Sequence, residues 1–129
     1  MSGTYLLDTQ VLLLWRSGAD SLGRGAARVL GDDKAKLLLS VASVWEIAIK
    51  RSIGKLSLDL STQEFVETAV AAGISLHPIR PEHAYRTESL PWHHRDPFDR
   101  LLVAQALVDN LEVVTGDPRF RPYGVGVVW

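Results

Sequence analysis

The chain contains no cysteine. That excludes a disulfide frame, a thiolate nucleophile and a cysteine-ligated zinc, and it suits a reducing compartment, so a cytoplasmic location is expected. Charge of one sign is not in excess. The 14 Lys and Arg meet 15 Asp and Glu, for a formal net charge of −1. This disfavours a domain that grips nucleic acid by bulk positive charge. Long hydrophobic runs are missing too. The segment Val11 to Trp15 is too short to span a bilayer, and no basic stretch precedes it, so neither a membrane association nor a signal peptide is expected. Linkers, repeats and low-complexity segments are absent, and residues 1–129 read as a single domain. What is present is an ordinary globular composition, 47% apolar and 22% charged, enough for a real core.

The pattern predicts alternating strands and helices. Strands are expected at Thr4–Leu7, Lys36–Ser40, Ile74–Pro78, Leu111–Thr115 and Gly126–Trp129. Helices are expected from Asp8 through Trp15, over Ser21–Leu30, Ser43–Ser52, Ser61–Ala72 and Pro81–Leu90, and from Asp96 to about Asp109. A turn of helix is expected at Asp117-Pro118. Ser43 and Glu46 match a capping box, and Gly31, Gly54 and Gly73 are helix stops. Such alternation implies a parallel sheet covered by helices on both faces.

Four acids share one local setting. Asp8, Glu46, Asp99 and Asp117 each stand near a junction from strand to helix. In a parallel sheet these junctions share one edge, where ligands of open α/β sheets bind. Each acid alone has a plain explanation as a helix cap or a favourable charge at a helix start, with Asp96 as the cap that precedes Asp99. Together they imply a carboxylate cluster, which is costly unless a cation sits among them. Oxygen donors without cysteine or paired histidines point to a hard divalent ion. Such an ion suits phosphodiester hydrolysis.

The segments Leu6-Leu7-Asp8-Thr9-Gln10-Val11-Leu12-Leu13, Ser43-Val44-Trp45-Glu46-Ile47-Ala48-Ile49-Lys50, Asp96-Pro97-Phe98-Asp99-Arg100-Leu101-Leu102-Val103-Ala104-Gln105-Ala106 and Val114-Thr115-Gly116-Asp117-Pro118-Arg119-Phe120 together resemble the PIN-domain ribonucleases. More narrowly they resemble the VapC-type toxins of bacterial toxin–antitoxin pairs. The resemblance covers nearly the whole chain. It implies a three-layer α/β/α sandwich around a parallel sheet of about five strands. It also implies RNA cleavage dependent on Mg²⁺ or Mn²⁺, inhibition by a cognate antitoxin, and a homodimer. Carried over by motif, Asp8 and Asp99 are the expected metal ligands. Glu46 and Asp117 complete a catalytic quartet directly or through water, and Asp96 is a secondary candidate. Two departures stand out. Gln10 occupies a position where many relatives carry His, and Gly116 is expected to loosen the loop that holds Asp117.

Around the acids, Lys50, Arg100 and Arg119 are candidate RNA phosphate contacts, as is Arg95. Lys50 lies one helical turn beyond Glu46 and can instead pair with it. Thr9 and Thr115 are candidates to hydrogen-bond a ligand carboxylate. His93 and His94 are candidate metal ligands or general acids, but read better as a solvent-exposed loop pair. Trp15 and Trp45 read as core or dimer interface, while Trp92 is open. Two other functional classes compete with the nuclease. A phosphatase or phosphotransfer domain would need a second acid where Gln10 stands, or a phosphoacceptor acid where His77-Pro78 stands. A non-catalytic binding module would have no need of four acids.

Overall fold

The computed structural model describes residues 3–18 and 20–129. Strand β1 (Thr4–Leu7) leads into α1 (Thr9–Ser17) and α2 (Arg24–Leu30). Strand β2 (Lys36–Ser40) follows, then α3 (Val41–Ser52) and α4 (Thr62–Ala71). Next come β3 (Ser75–His77), α5 (Pro81–Glu88) and α6 (Pro97–Asp109). The chain closes with β4 (Glu112–Val114), a 3₁₀ helix (Pro118–Tyr123) and β5 (Val127–Val128).

The strands form one parallel sheet of five, in the order β3-β2-β1-β4-β5. The expected sandwich is what is found. Successive residues on a strand face opposite sides, and this sheet carries a core on each. Leu6, Leu38 and Val113 stand in register and pack with Leu102, Val103 and Phe120. Leu7, Leu39 and Val114 pack on the other face with Val11, Ile47 and Phe65. Continuous apolar strands are the signature of a sheet buried on both faces.

Two boundaries differ from expectation in ways that matter. Helix α3 starts at Val41, not Ser43, because Ser40 is its cap and accepts from the Ala42 N–H at 3.0 Å. Ser43 therefore lies inside the helix, where its hydroxyl accepts from Thr9 at 2.7 Å. The expected Ser43–Glu46 capping box does not form, and Glu46 is freed of capping. Helix α2 begins at Arg24 rather than Ser21, since Gly23 and Gly25 lie against Trp129 and the Gly25 N–H donates to the Trp129 carbonyl at 2.9 Å. The capping box of α4, Ser61 with Glu64, is present, and the helix stops at Gly73, whose φ of 98° suits glycine.

A polar latch joins β3, α5 and α6. Asp109 accepts from His77 Nε2 at 2.6 Å and His83 Nε2 at 2.7 Å, and pairs with Arg80. The Arg80 backbone N–H donates to His83 Nδ1 at 2.9 Å. Burial alone would raise the Asp109 carboxyl, but the His77 and His83 bonds and the Arg80 charge hold it below its ordinary value.

Candidate metal centre

The sheet order reverses direction at β1. From it the chain winds outward through β2 to β3, then crosses to β4 on the other side. The crevice beyond the carboxyl ends of β1 and β4 is thus the switch point where ligands of such sheets bind. A cavity of about 500 Å³ opens there. Asp8, Glu46, Asp96, Asp99 and Asp117 all line it, with Gln10, Lys50 and Arg119. The structure brings together every acid of the quartet.

Asp8 leaves β1 as the cap of α1 and is buried, 7% exposed. Thr115, the residue just after β4, donates its hydroxyl to Asp8 Oδ2 at 2.7 Å. Thr9 takes no such role, being spent on Ser43. Burial raises the Asp8 carboxyl above its ordinary value, against the Thr115 and Gln10 bonds that lower it. Glu46, 4% exposed, sits on the body of α3. Its Oε2 accepts from Lys50 Nζ at 2.6 Å, whereas its buried Oε1 has no hydrogen-bond partner among the described residues. Asp99 lies in the first turn of α6. Burial first, then the charges of Asp8, Asp96, Glu46 and Asp117, push its carboxyl up to about 8. Asp96 is the cap of α6, accepting from Phe98 and Asp99 N–H groups at 2.8 and 3.2 Å.

Asp117 differs from its neighbours. It caps the 3₁₀ helix and is gripped by Arg119, whose Nε and terminal nitrogen donate to both carboxylate oxygens at 2.8–3.2 Å. Those Arg119 bonds hold its carboxyl down at about 2. Gly116 does not loosen this segment. A methyl there would come 2.8 Å from the Trp129 ring, so glycine is what allows the ring to pack against the loop.

The sequence favours an exposed loop for His94, and the structure differs. His94 is only 3% exposed. Its backbone N–H donates to the Tyr123 hydroxyl at 2.8 Å and its ring meets Phe120 edge-on. Nδ1 accepts from the Asp96 N–H at 3.1 Å, so the ring proton sits on Nε2. Nε2 lies 2.9 Å from Asp99 Oδ2 and bonds Asp117 Oδ2 at 3.1 Å. Its position two residues before the Asp96 cap was the available signal. His93, by contrast, is exposed as read.

Arg100 is the main correction. It is 6% exposed and does not line the acidic cavity; it borders a separate apolar groove instead. Its guanidinium donates to the carbonyls of Thr87, Leu90, Pro91 and His94 and stacks on Trp92, 3.6 Å from the ring centre. It anchors the loop that carries His94 and is not placed to meet phosphate. Arg95 is exposed but lines that same apolar groove, with Trp45 and Trp92, rather than the acidic cavity. Trp45 is largely exposed and touches Phe98, while half-buried Trp15 packs on the core.

Among the described residues, two trios have ligand-type atoms within 4.8 Å of one another: His94, Asp99 and Asp117, and His77, His83 and Asp109. The second suits no cation, because His83 Nδ1 is already an acceptor and Arg80 supplies the positive charge. The acidic cavity does fit one. It holds hard oxygen donors, an orphaned buried Glu46 oxygen and an Asp99 carboxyl destabilised as an anion by burial and by its neighbours' charges.

A parallel α/β domain with a carboxylate-lined crevice at its switch point is the class defined here. The chain belongs to the PIN-domain family, whose match spans residues 5–125. Similar solved structures include VapBC2 from Rickettsia felis bound to a DNA fragment from its promoter (TM-score 0.70, 13% identity, 96% of each chain covered). A toxin–antitoxin complex from Klebsiella pneumoniae is also similar (0.66, 21%, covering 97% of this chain and 96% of that one). So is VapBC-1 from nontypeable Haemophilus influenzae (0.64, 15%, 96% of each). At these identities the likeness is one of fold. No curated protein sequence matches. Among the described residues no helix is long and apolar enough to cross a membrane.

Proposed function

We propose that this chain is a Mg²⁺- or Mn²⁺-dependent endoribonuclease and the toxin of a toxin–antitoxin pair. It works in the cytoplasm, is silenced by a cognate antitoxin and forms a homodimer. The observation that carries the nuclease reading is the unpartnered, buried Glu46 Oε1 beside Asp8 and Asp99 in one cavity. An acid cluster that Lys50 and Arg119 offset only in part calls for a further cation. Family membership and the toxin–antitoxin complexes among the similar structures support the rest.

In this reading Asp8 and Asp99 hold the ion, and Glu46 and Asp117 complete the quartet directly or through water. Bound there, the ion supplies a Lewis acid that activates water and offsets charge on the scissile phosphodiester. The chain's own residues do the rest. Thr115 fixes the Asp8 carboxylate by its hydrogen bond. Asp96 fixes the first turn of α6 and with it Asp99. Lys50 and Arg119 stand at the cavity as the cations that meet RNA phosphates.

The test is cleavage of RNA with Mg²⁺ or Mn²⁺ by wild type, Asp8→Ala and Asp99→Ala. Each substitution is expected to lower the rate by about two orders of magnitude or more, above what outer partners of a metal usually cost. Equal rates in all three proteins overturn the assignment.

A further inference from the structure

Accepting the metal reading above, we infer that the site takes a single divalent ion, on the Asp8–Glu46–Asp99 side, and that His94 and Arg119 stand in for a second one. Paired-ion hydrolases hold two cations about 3.5–4 Å apart, which requires carboxylates free to share. Asp117 is the carboxylate a second ion would need, and it is not free. Arg119 Nε and its terminal nitrogen, the Arg119 backbone N–H and His94 Nε2 all donate to it. Both of its oxygens are engaged.

His94 cannot itself be a ligand in this arrangement. A neutral imidazole binds metal through the nitrogen that lacks the proton. Here Nδ1 is that nitrogen, and it is buried against the Asp96 N–H. Nε2 therefore presents N–H toward Asp99 and Asp117. The Asp96 cap, which starts α6, thereby sets the ring's tautomer. His94 is a positioning residue that spaces Asp99 from Asp117. Arg119 contributes the fixed positive charge.

Manganese binding to the intact protein tests this without relying on activity. Free Mn²⁺ is followed by electron paramagnetic resonance during titration, with melting in chelator as a check on folding. Wild type is expected to bind one ion per chain and to show no directly coordinated nitrogen in pulsed spectra. His94→Gln keeps a donor where Nε2 stands and is expected to match it. His94→Asn keeps only the acceptor for Asp96 and is expected to bind one ion about tenfold more weakly, the usual cost of losing an outer partner. The His94→Asn, Arg119→Ala double variant releases Asp117 and is expected to bind a second, weaker ion. Two ions in wild type, a coordinated nitrogen, complete loss of binding in His94→Asn, or a single ion in the folded double variant each overturn the inference while leaving a metal site standing. No binding in wild type overturns the metal reading itself, and the inference with it.

Discussion

Asp99 shows how one side chain records the demand of the whole cavity. Burial first, and then its neighbours' charges, hold its carboxyl at about 8, while an unfolded chain would leave it near its ordinary 3.8. The sign follows. Between those values the unfolded chain has lost the proton and the folded one keeps it. Without metal, this residue's favourable contribution is complete below about pH 4 and is lost as pH rises through about 8. Asp99→Asn keeps the shape and removes the titration. In chelator, the variant is expected to match wild type near pH 4 and to exceed it by a few kcal/mol above pH 8. Thermal melts across that range check this, and parallel profiles would contradict it. The same proton competes with a cation, so Mn²⁺ affinity of wild type is expected to climb with pH up to about 8. Asp117 behaves oppositely, since Arg119 keeps it ionised down to about pH 2.

At the scale of elements, the start of α6 is where the site is assembled. Asp96 caps the helix, Asp99 lies in its first turn, and Arg100 turns away to bind four carbonyls of the preceding segment. Replacing Arg100 by Met would leave those carbonyls without their donor in a buried place. The expected loss is about 2–4 kcal/mol of stability, read by urea denaturation. Arg100→Lys is expected to recover little, because one ammonium cannot span the fork's partners. A loss under about half a kcal/mol would mean the loop holds itself. The sequence led to the wrong role here for a physical reason. An arginine beside an acid looks the same whether it faces phosphate or folds back on its own loop. The cap of α3 failed similarly. Ser40 and Ser43 are equivalent by residue type, and only the end of β2 decides between them. Asp96, Asp117 and Ser61 were legible as caps because each is followed by Pro or by a matching Glu.

For the molecule as a whole, the order of strands and acids was readable, because apolar runs ending in Asp8 or Asp117 carry their own geometry. What was not readable came from distant segments. His94 is buried by Phe120 and Tyr123, and Gly116 is closed by Trp129. The acids thus come from β1, α3, α6 and the segment after β4, and each element holds its acid against its neighbours' charge. An ion that binds the folded cavity and not the unfolded chain must stabilise all four elements at once. At a hundred times its dissociation constant the gain is about 2.7 kcal/mol, which raises the melting temperature of a chain this size by roughly 10 °C. In Asp8→Asn most of that increment is expected to vanish, although the variant in chelator melts no lower than wild type because a buried like charge has gone. The comparison also locates the ion. An increment that survives in Asp8→Asn but disappears in Asp109→Asn would put the cation at the His77–His83–Asp109 latch. That outcome would contradict the reading that Arg80 already serves as that latch's positive charge.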